Sequence, residues 1–275
     1  MLAPILKTSR LRIPRLGLGT WPLQGAEAEA AVQSAIGLGY RHIDTASMYG
    51  NEAAVGAGIR AAGIAREDVF VTTKIWWTDL APAALRASAE ASLQRLGMDY
   101  ADLMLIHWPA PEMDLAASLQ ALARLQRDGL ARAIGVSNFP PGLLQRALES
   151  GIAPIACLQV ECHVYLWQPK LAALCRDHDL VMTAYSPTAK GAVADDPVLR
   201  RIGAKHGTSA VAVALAWLLA QDRVVAIPKS RRPEIQRENL AAAALRLDAD
   251  DIAAINALPK TRRLLSPGFA PNWDM

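Results

Sequence analysis

Four side chains in the first part of the sequence can hold or move a proton at neighbouring positions: Asp44, Tyr49, Lys74 and His107. Asp44 and Tyr49 belong to the stretch HIDTASMYGNE (42–52), where a short apolar run stops at the aspartate. Thr45, Ser47, Gly50 and Asn51 then signal a loop before a helix. A lysine cation beside a phenol lowers its pKa from about 10, and an aspartate paired with that lysine holds it in place. With His107 able to hydrogen-bond a carbonyl, this is equipment for donating a proton to a carbonyl oxygen. None of these side chains can deliver a reductant, so the chemistry requires a cofactor. Each residue alone has a plainer reading: an Asp opening a turn, a Tyr packed over a barrel end, a solvated rim Lys, a half-buried His. The case rests on their occurring together.

The elements that must position them alternate strand and helix. Residues 10–18, two apolar stretches split by Pro14, are expected to form a short hairpin leading into a first strand at 16–19, with a helix at 26–38. Strands are then expected at 42–43, 69–73, 102–106, 131–136, 155–160, 180–184 and 224–227. Helices follow at 51–61, 82–96, 115–127, 141–149, 169–178, 209–220 and 233–243, with Pro82 suited to a first turn. The strands are apolar runs, as burial on both faces demands. Eight β-then-α units predict an α/β fold of the (β/α)8 barrel (TIM barrel) type, a single domain over 1–275; the count of eight weighs against a doubly wound sheet. A further helical stretch at 248–258 and an irregular tail at 259–275 complete the chain.

In such a barrel the C-terminal strand ends share one face, where the active site is expected. Those ends carry Thr20 and Trp21; Asp44 with Tyr49; Lys74; His107 and Trp108; Ser137 and Asn138; Gln159 and Glu161; Tyr185 and Ser186; Lys229 and Ser230. Turn chemistry would supply Ser, Asn and Asp there, but not a Tyr, a Lys and a His at successive positions.

Composition narrows the class. A formal charge of +3 with scattered arginines gives no nucleic-acid footprint. Cys157, Cys162 and Cys175 lack C-x-x-C spacing, which argues for a reducing compartment and against disulfides or zinc. The first ten residues are too short and too quickly charged for a signal peptide, and the apolar run 209–220 falls short of the roughly 18 residues that span a bilayer. A soluble cytoplasmic protein without membrane or nucleic-acid partners is expected. Gly56 to Ala61 fits G-x-G-x-x-A, but inside a helix, where the fingerprint does not work. Glu161, Cys162 and His163, three adjacent residues at a strand end, cannot all converge on one ion, and no metal site is expected.

The strings GLGTW, HIDTASMYGNE, VTTKIW, LMLIHWP, GVSNF, QVECHVY, AYSP and IPKS resemble, in this order, the aldo-keto reductase superfamily from end to end. The short loops and the tail RLLSPGFAPNWD look most like its bacterial 2,5-diketo-D-gluconate reductase group. The resemblance implies an NADPH-dependent carbonyl reductase with Tyr49 as general acid, Lys74 and Asp44 as its tuning pair, and His107 orienting the carbonyl. It implies Ser137, Asn138 and Gln159 on the nicotinamide carboxamide, Tyr185 stacked on its ring, and Thr20 and Trp21 at the cofactor. Lys229 and Ser230 would meet the 2′-phosphate, with Glu238 and Asn239 near the adenine, and Ser186, Thr188 and Gly191 near the pyrophosphate. Trp21, Trp76 and Trp108, with Tyr49 and His107, would wall the substrate slot. Two positions depart from the pattern: Ile235 stands where an Arg commonly covers the adenine, leaving Arg232 or Arg231 as substitutes, and Thr188 follows Pro187 where Leu is commoner. The implied substrates are small aldehydes, α-ketoaldehydes or keto-sugar acids, and the implied state is a monomer. Two other classes stay open: a cofactor-binding sensor without turnover, and a Schiff-base lyase using Lys74.

Overall fold

A computed structural model describes residues 2–273. Eight parallel strands form one sheet in chain order: β3 (Leu18–Gly19), β4 (His42–Asp44), β5 (Phe70–Ile75), β6 (Ala101–Ile106), β7 (Ala131–Ser137), β8 (Ile155–Glu161), β9 (Val181–Tyr185) and β10 (Val224–Ala226). They are preceded by β1 (Ile5–Lys7) and β2 (Arg12–Pro14), an antiparallel pair. The sheet closes on itself through β3 and the residue before it: Gly17 N–H donates to Ala226 O (2.9 Å) and Gly19 N–H to Pro228 O (3.1 Å). The expected (β/α)8 barrel is the fold.

Along β6 the buried residues alternate between two environments, as the period of a strand requires. Leu103 and Leu105 join an inner cluster with Ala133, Cys157, Val181 and Val225, while Met104 and Ile106 join the outer layer packed under the helices. Leu11 and Ile13 of the hairpin belong to the inner cluster, so β1 and β2 plug the N-terminal end of the barrel. The hairpin thus lies earlier than the 10–18 expected. Pro14 ends its second strand, where its missing N–H costs nothing, and the turn is closed by Thr8 N–H on Leu11 O.

The helices are α1 (Gly25–Leu38), α2 (Glu52–Ala61), α3 (Pro82–Leu96), α4 (Leu115–Arg127), α5 (Pro141–Glu149), α6 (Pro169–Asp177), α7 (Pro197–Lys205), α8 (Ala210–Ala220), α9 (Pro233–Ala241) and α10 (Ala249–Asn256). Five start on a proline in the first turn, where its lack of an N–H is harmless. Helix α7 is additional to the sequence reading, although Asp196, whose carboxylate accepts the N–H groups of Val198 and Leu199, and Pro197 are an ordinary start signal. The glycines of the rejected phosphate-loop pattern serve packing. A Cβ on Gly56 would lie 2.0 Å from Leu96 O, and one on Gly58 2.5 Å from Glu29 O, so they let α2 approach α3 and α1. No single helix among the described residues is long and apolar enough to cross a membrane. The tail after α10 is irregular as expected; its last residues, 274–275, lie outside the described residues.

His42, at the start of β4, is fully buried, with Nε2 3.1 Å from Thr72 Oγ1 and Nδ1 unpartnered. Burial, aided by the Lys74 charge, lowers its pKa to about 3. Because the folded value lies below the unfolded one of about 6.5, its contribution is complete above that pH and is lost as pH falls toward 3. The expected outcome for His42→Asn is a slope of unfolding free energy against pH, between pH 6 and 4, shallower than the parent's by up to about 1.4 kcal/mol per unit. Urea titrations at each pH measure it; parallel slopes would place that titration elsewhere.

Candidate active site

The C-terminal mouth of the barrel brings Asp44, Lys74, Tyr49 and His107 together. Asp44 pairs in register with Thr72, so Lys74, two residues on, points to the same side of the sheet. Lys74 Nζ lies 2.5 Å from Asp44 Oδ1, 2.8 Å from Thr45 O and 3.3 Å from the Tyr49 hydroxyl, so all three ammonium protons have acceptors. The second Asp44 oxygen accepts from Gln159 Nε2 across the barrel (2.8 Å). The ion pair is sealed from solvent, with 0% and 2% of its side chains exposed. Lys74 lies inside β5, not after it, and its own carbonyl accepts from Ser47 Oγ (2.9 Å).

Tyr49 ends the short 3-10 turn Ser47–Tyr49 and is held from several sides. Gln24 Nε2 donates to its carbonyl (2.6 Å), and Gly50 adopts φ +68 to turn the chain back. Asn51 locks the loop by accepting from Thr45 Oγ1 (2.7 Å) and donating to Thr20 O (3.2 Å) and Leu23 O (2.9 Å). Behind it, Glu52 accepts from Thr73 Oγ1 (2.5 Å) and from Arg95 (2.6 Å). Thr20 itself donates to Asp44 O (3.0 Å), which makes it a brace for the strand end.

Burial raises the Tyr49 pKa, Lys74 opposes the rise and Asp44 adds to it; the net shift is upward. The expected lowering is therefore corrected: the lysine's pull is real, but desolvation outweighs it. For Lys74, burial acts downward and Asp44 and Tyr49 act upward, and the pair prevails, keeping it a cation. A cationic amine with three acceptors has no free lone pair, which argues against a Schiff-base role. Burial and the Lys74 charge push His107 well below its ordinary value, so its ring is neutral.

The aromatic wall is larger than Trp21, Trp76 and Trp108. Trp21 is half exposed, its ring 5.2 Å from Tyr49. Trp76 stands edge-on to His107 (5.1 Å), and His107 to Tyr49 (5.5 Å). The tail adds Phe269, which contacts Trp76 (5.4 Å), stacks on Trp77 (5.2 Å, 28°) and meets Trp108 (5.6 Å); Trp273 meets Trp108 from beyond (6.0 Å). Sequence reasoning missed Trp77, Phe269 and Trp273 as parts of this wall; Trp77 adjoins Trp76, and the other two are the aromatics of the Pro-containing tail. A cleft of about 410 Å³ lies along the same tail, between Pro109–Pro111 and the start of α5.

The residues assigned to a cofactor line the same mouth. Asn138, at φ 61, donates to His107 O (2.9 Å) and Ser137 Oγ (3.1 Å) and accepts from the half-buried Tyr185 hydroxyl (2.8 Å). Ser186 (φ 49) opens a series of turns in which Ala189 N–H donates to Ser186 O and Gly191 N–H to Thr188 O. Lys229 is exposed and in no ion pair among the described residues, whereas Ser230 is buried. Arg231 pairs with Glu27 of α1, and Arg232 Nε lies 3.5 Å from Glu234. On α9, Glu238 is half-buried and Asn239 Oδ1 is buried without a partner. An orphaned buried acceptor and an unpaired cation fit an adenine nucleotide with a phosphate. Glu161 Oε1 lies 3.0 Å from His163 Nε2. In another grouping, His206, Asp248 and Asp251, the two carboxylates hold the Lys205 ammonium and Asp251 also bonds His206.

Barrel and mouth define an oxidoreductase built on a (β/α)8 scaffold, of a class that uses a nicotinamide cofactor. The chain belongs to the aldo/keto reductase family, whose pattern matches residues 15–260. It is 42% identical over 268 residues to a methylglyoxal reductase DkgB of Escherichia coli O157:H7, covering 96% of this chain and all of the relative. A solved structure provisionally described as a 2,5-diketo-D-gluconic acid reductase B superposes with a TM-score of 0.92 at 40% identity, over 96% of this chain and 94% of that one. An aldo-keto reductase solved with NADPH gives 0.91 at 31% identity, over 96% and 90%.

Removing one member of the buried pair should strand the other. Lys74→Met leaves the Asp44 carboxylate with Gln159 alone and is expected to cost about 3–5 kcal/mol of folding stability in urea. Adding Asp44→Asn should restore part of that loss; additive losses would mean that the pair is not coupled.

Proposed function

We propose that the protein is an NADPH-dependent reductase of small aldehydes, α-ketoaldehydes or keto-sugar acids, with Tyr49 as its general acid. The observation that carries this reading is the Lys74 ammonium shared between Asp44 and the Tyr49 hydroxyl, with the neutral His107 ring beside it. The names of the two relatives support methylglyoxal and diketogluconate as first substrates to try.

When bound, the reduced nicotinamide supplies a hydride to the carbonyl carbon. Tyr49 gives its hydroxyl proton to the carbonyl oxygen, and the adjacent ammonium stabilises the phenolate left behind. Asp44 keeps that ammonium in place. His107 donates an imidazole N–H to the same oxygen without adding charge. The apolar wall of Trp21, Trp76 and Trp108 excludes water, which strengthens each of these contacts. With the Asn138 amide spent on His107, Ser137 and Tyr185, and Gln159 Nε2 on Asp44, the Ser137 hydroxyl proton and Gln159 Oε1 are the groups left for a carboxamide. Tyr185 offers its ring, Ser186, Thr188 and Gly191 flank the pyrophosphate, Glu238 and Asn239 receive the adenine, and Lys229 with Ser230 and Arg232 receives the 2′-phosphate. Arg231 is committed to Glu27. The protein acts as one monomeric domain in a reducing cytoplasm, where its three buried cysteines stay free.

Tyr49→Phe is expected to lower turnover of methylglyoxal by about 10²–10⁴ while cofactor affinity stays within about twofold. Since the Tyr49 shift is upward, its proton stays on through neutral pH: reduction by the parent should be flat there, and the reverse oxidation should rise with alkalinity. Stopped-flow absorbance of the reduced cofactor measures both, and near-parental turnover by the variant would remove Tyr49 as the acid.

The cofactor is tested by quenching of tryptophan fluorescence with NADPH and NADH. Lys229→Ala should weaken NADPH about tenfold and leave NADH unchanged. Equal weakening would take Lys229 out of the phosphate site, and binding without turnover across a carbonyl panel would favour a sensor.

A further inference from the structure

We propose that Glu161 is a positioning residue for substrate selection: its carboxylate clamps the main chain of Leu264 and Leu265 and thereby sets Phe269 against the tryptophans of the slot. This rests on the reading above that Trp76 and Trp108 wall the substrate site.

Glu161 ends β8, two residues beyond Gln159, and is fully buried. It has no Lys or Arg partner among the described residues. Oε1 accepts from Leu264 N–H (2.8 Å) and lies 3.0 Å from His163 Nε2, and Oε2 accepts from Leu265 N–H (2.9 Å). A buried carboxylate is costly unless its oxygens are satisfied, and here two of the three donors belong to the tail. The tail cannot lift without stripping that carboxylate of two of its three donors.

The contacts before and after the clamp show what it controls. Upstream, the chain is stitched to the β8–α6 connection by Lys260 Nζ on Val164 O (2.7 Å), Arg262 N–H on Tyr165 O (2.9 Å) and Arg263 Nη2 on Gln168 Oε1 (3.2 Å). Between Leu265 and Phe269 no main-chain N–H is held by the barrel among the described residues. Glu161 is therefore the last polar anchor before Phe269 reaches Trp76, Trp77 and Trp108. A strand end inside the barrel fixes an aromatic wall built by a segment of no regular structure. A carbonyl compound bearing an aromatic ring is long enough to meet that wall, whereas methylglyoxal is not.

Glu161→Gln keeps the shape but gives one position an NH2 that cannot accept from a main-chain N–H. The expected result is a KM for phenylglyoxal about tenfold higher, with kcat for it and both constants for methylglyoxal within about twofold of the parent. Chymotrypsin should cut the C-terminal segment faster in the variant, a readout independent of turnover. In a Phe269→Ala background the effect of Glu161→Gln on phenylglyoxal should vanish, because the clamp acts only through that ring. Should Glu161→Gln fail to fold, Leu265→Pro removes one of the two donors from the tail side and should reproduce the selective KM change. Equal KM changes for the two substrates, additivity with Phe269→Ala, or unchanged cleavage would overturn the proposal. A parent protein that reduces neither carbonyl would overturn the functional reading and the selection claim together, while the cleavage rates would still decide the clamp.

Discussion

The structure of the barrel mouth depends on one ion pair that could not exist outside it. An ammonium and a carboxylate removed from water each lose several kcal/mol of solvation, which their attraction repays only with good geometry and every remaining hydrogen-bonding site filled. Adjacent parallel strands supply the geometry, since the register of β4 on β5 sets Asp44 and Lys74 on one face. Gln159 from β8 fills the second carboxylate oxygen, and Thr45 O and the Tyr49 hydroxyl take the other ammonium protons. Two adjacent strands and a third across the barrel must therefore be closed in the right stagger before the charges are tolerable. The same requirement places Tyr49, because a phenol is the group offered to the third ammonium proton.

Around that rigid centre the two ends of the barrel are finished by segments of different kinds. At the N-terminal end Leu11 and Ile13 of the hairpin enter the inner core and contribute packing alone. At the C-terminal end the chain after α10 returns over the mouth and sets Phe269 and Trp273 against Trp108. Variable segments on a fixed scaffold are where selectivity is most cheaply altered. The barrel holds this one through a buried carboxylate that accepts from main-chain N–H groups and is indifferent to the side chains that carry them.

Much of this was legible in the residues. Helices α3, α4 and α5 begin and end at the expected positions because their signals are local: a proline at the first turn of α3 and α5, an Asp cap on α4, apolar spacing between. Strand ends were read well enough to name polar groups that the structure brings together at the mouth, since a buried strand is an uninterrupted apolar run. The hairpin was misplaced because Ile5–Lys7 is a three-residue strand that gains its meaning only by pairing with Arg12–Pro14. Helix α7 was overlooked though its cap was visible. Glu161 could be listed at a strand end, yet two of its three partners lie more than a hundred residues away, as main-chain N–H groups that no residue type advertises.

The sign of the shift at Tyr49 shows where neighbour counting stops. A lysine beside a tyrosine suggests an acidified phenol, and the lysine does act that way here. Sequence, however, shows which charges adjoin and not how much water is removed, and in this mouth desolvation is the larger effect. The same burial, with the Lys74 charge, strips His107 of its proton. The site is therefore left with one cation, one carboxylate and two neutral donors. A neutral phenol next to a fixed ammonium loses its proton readily only when negative charge appears on an oxygen in front of it. Burial holds that proton on the resting phenol, and in the proposed reaction the lysine would lower the barrier when it moves. Acidification and burial, which oppose each other in the resting protein, would in the proposed transfer act at different moments.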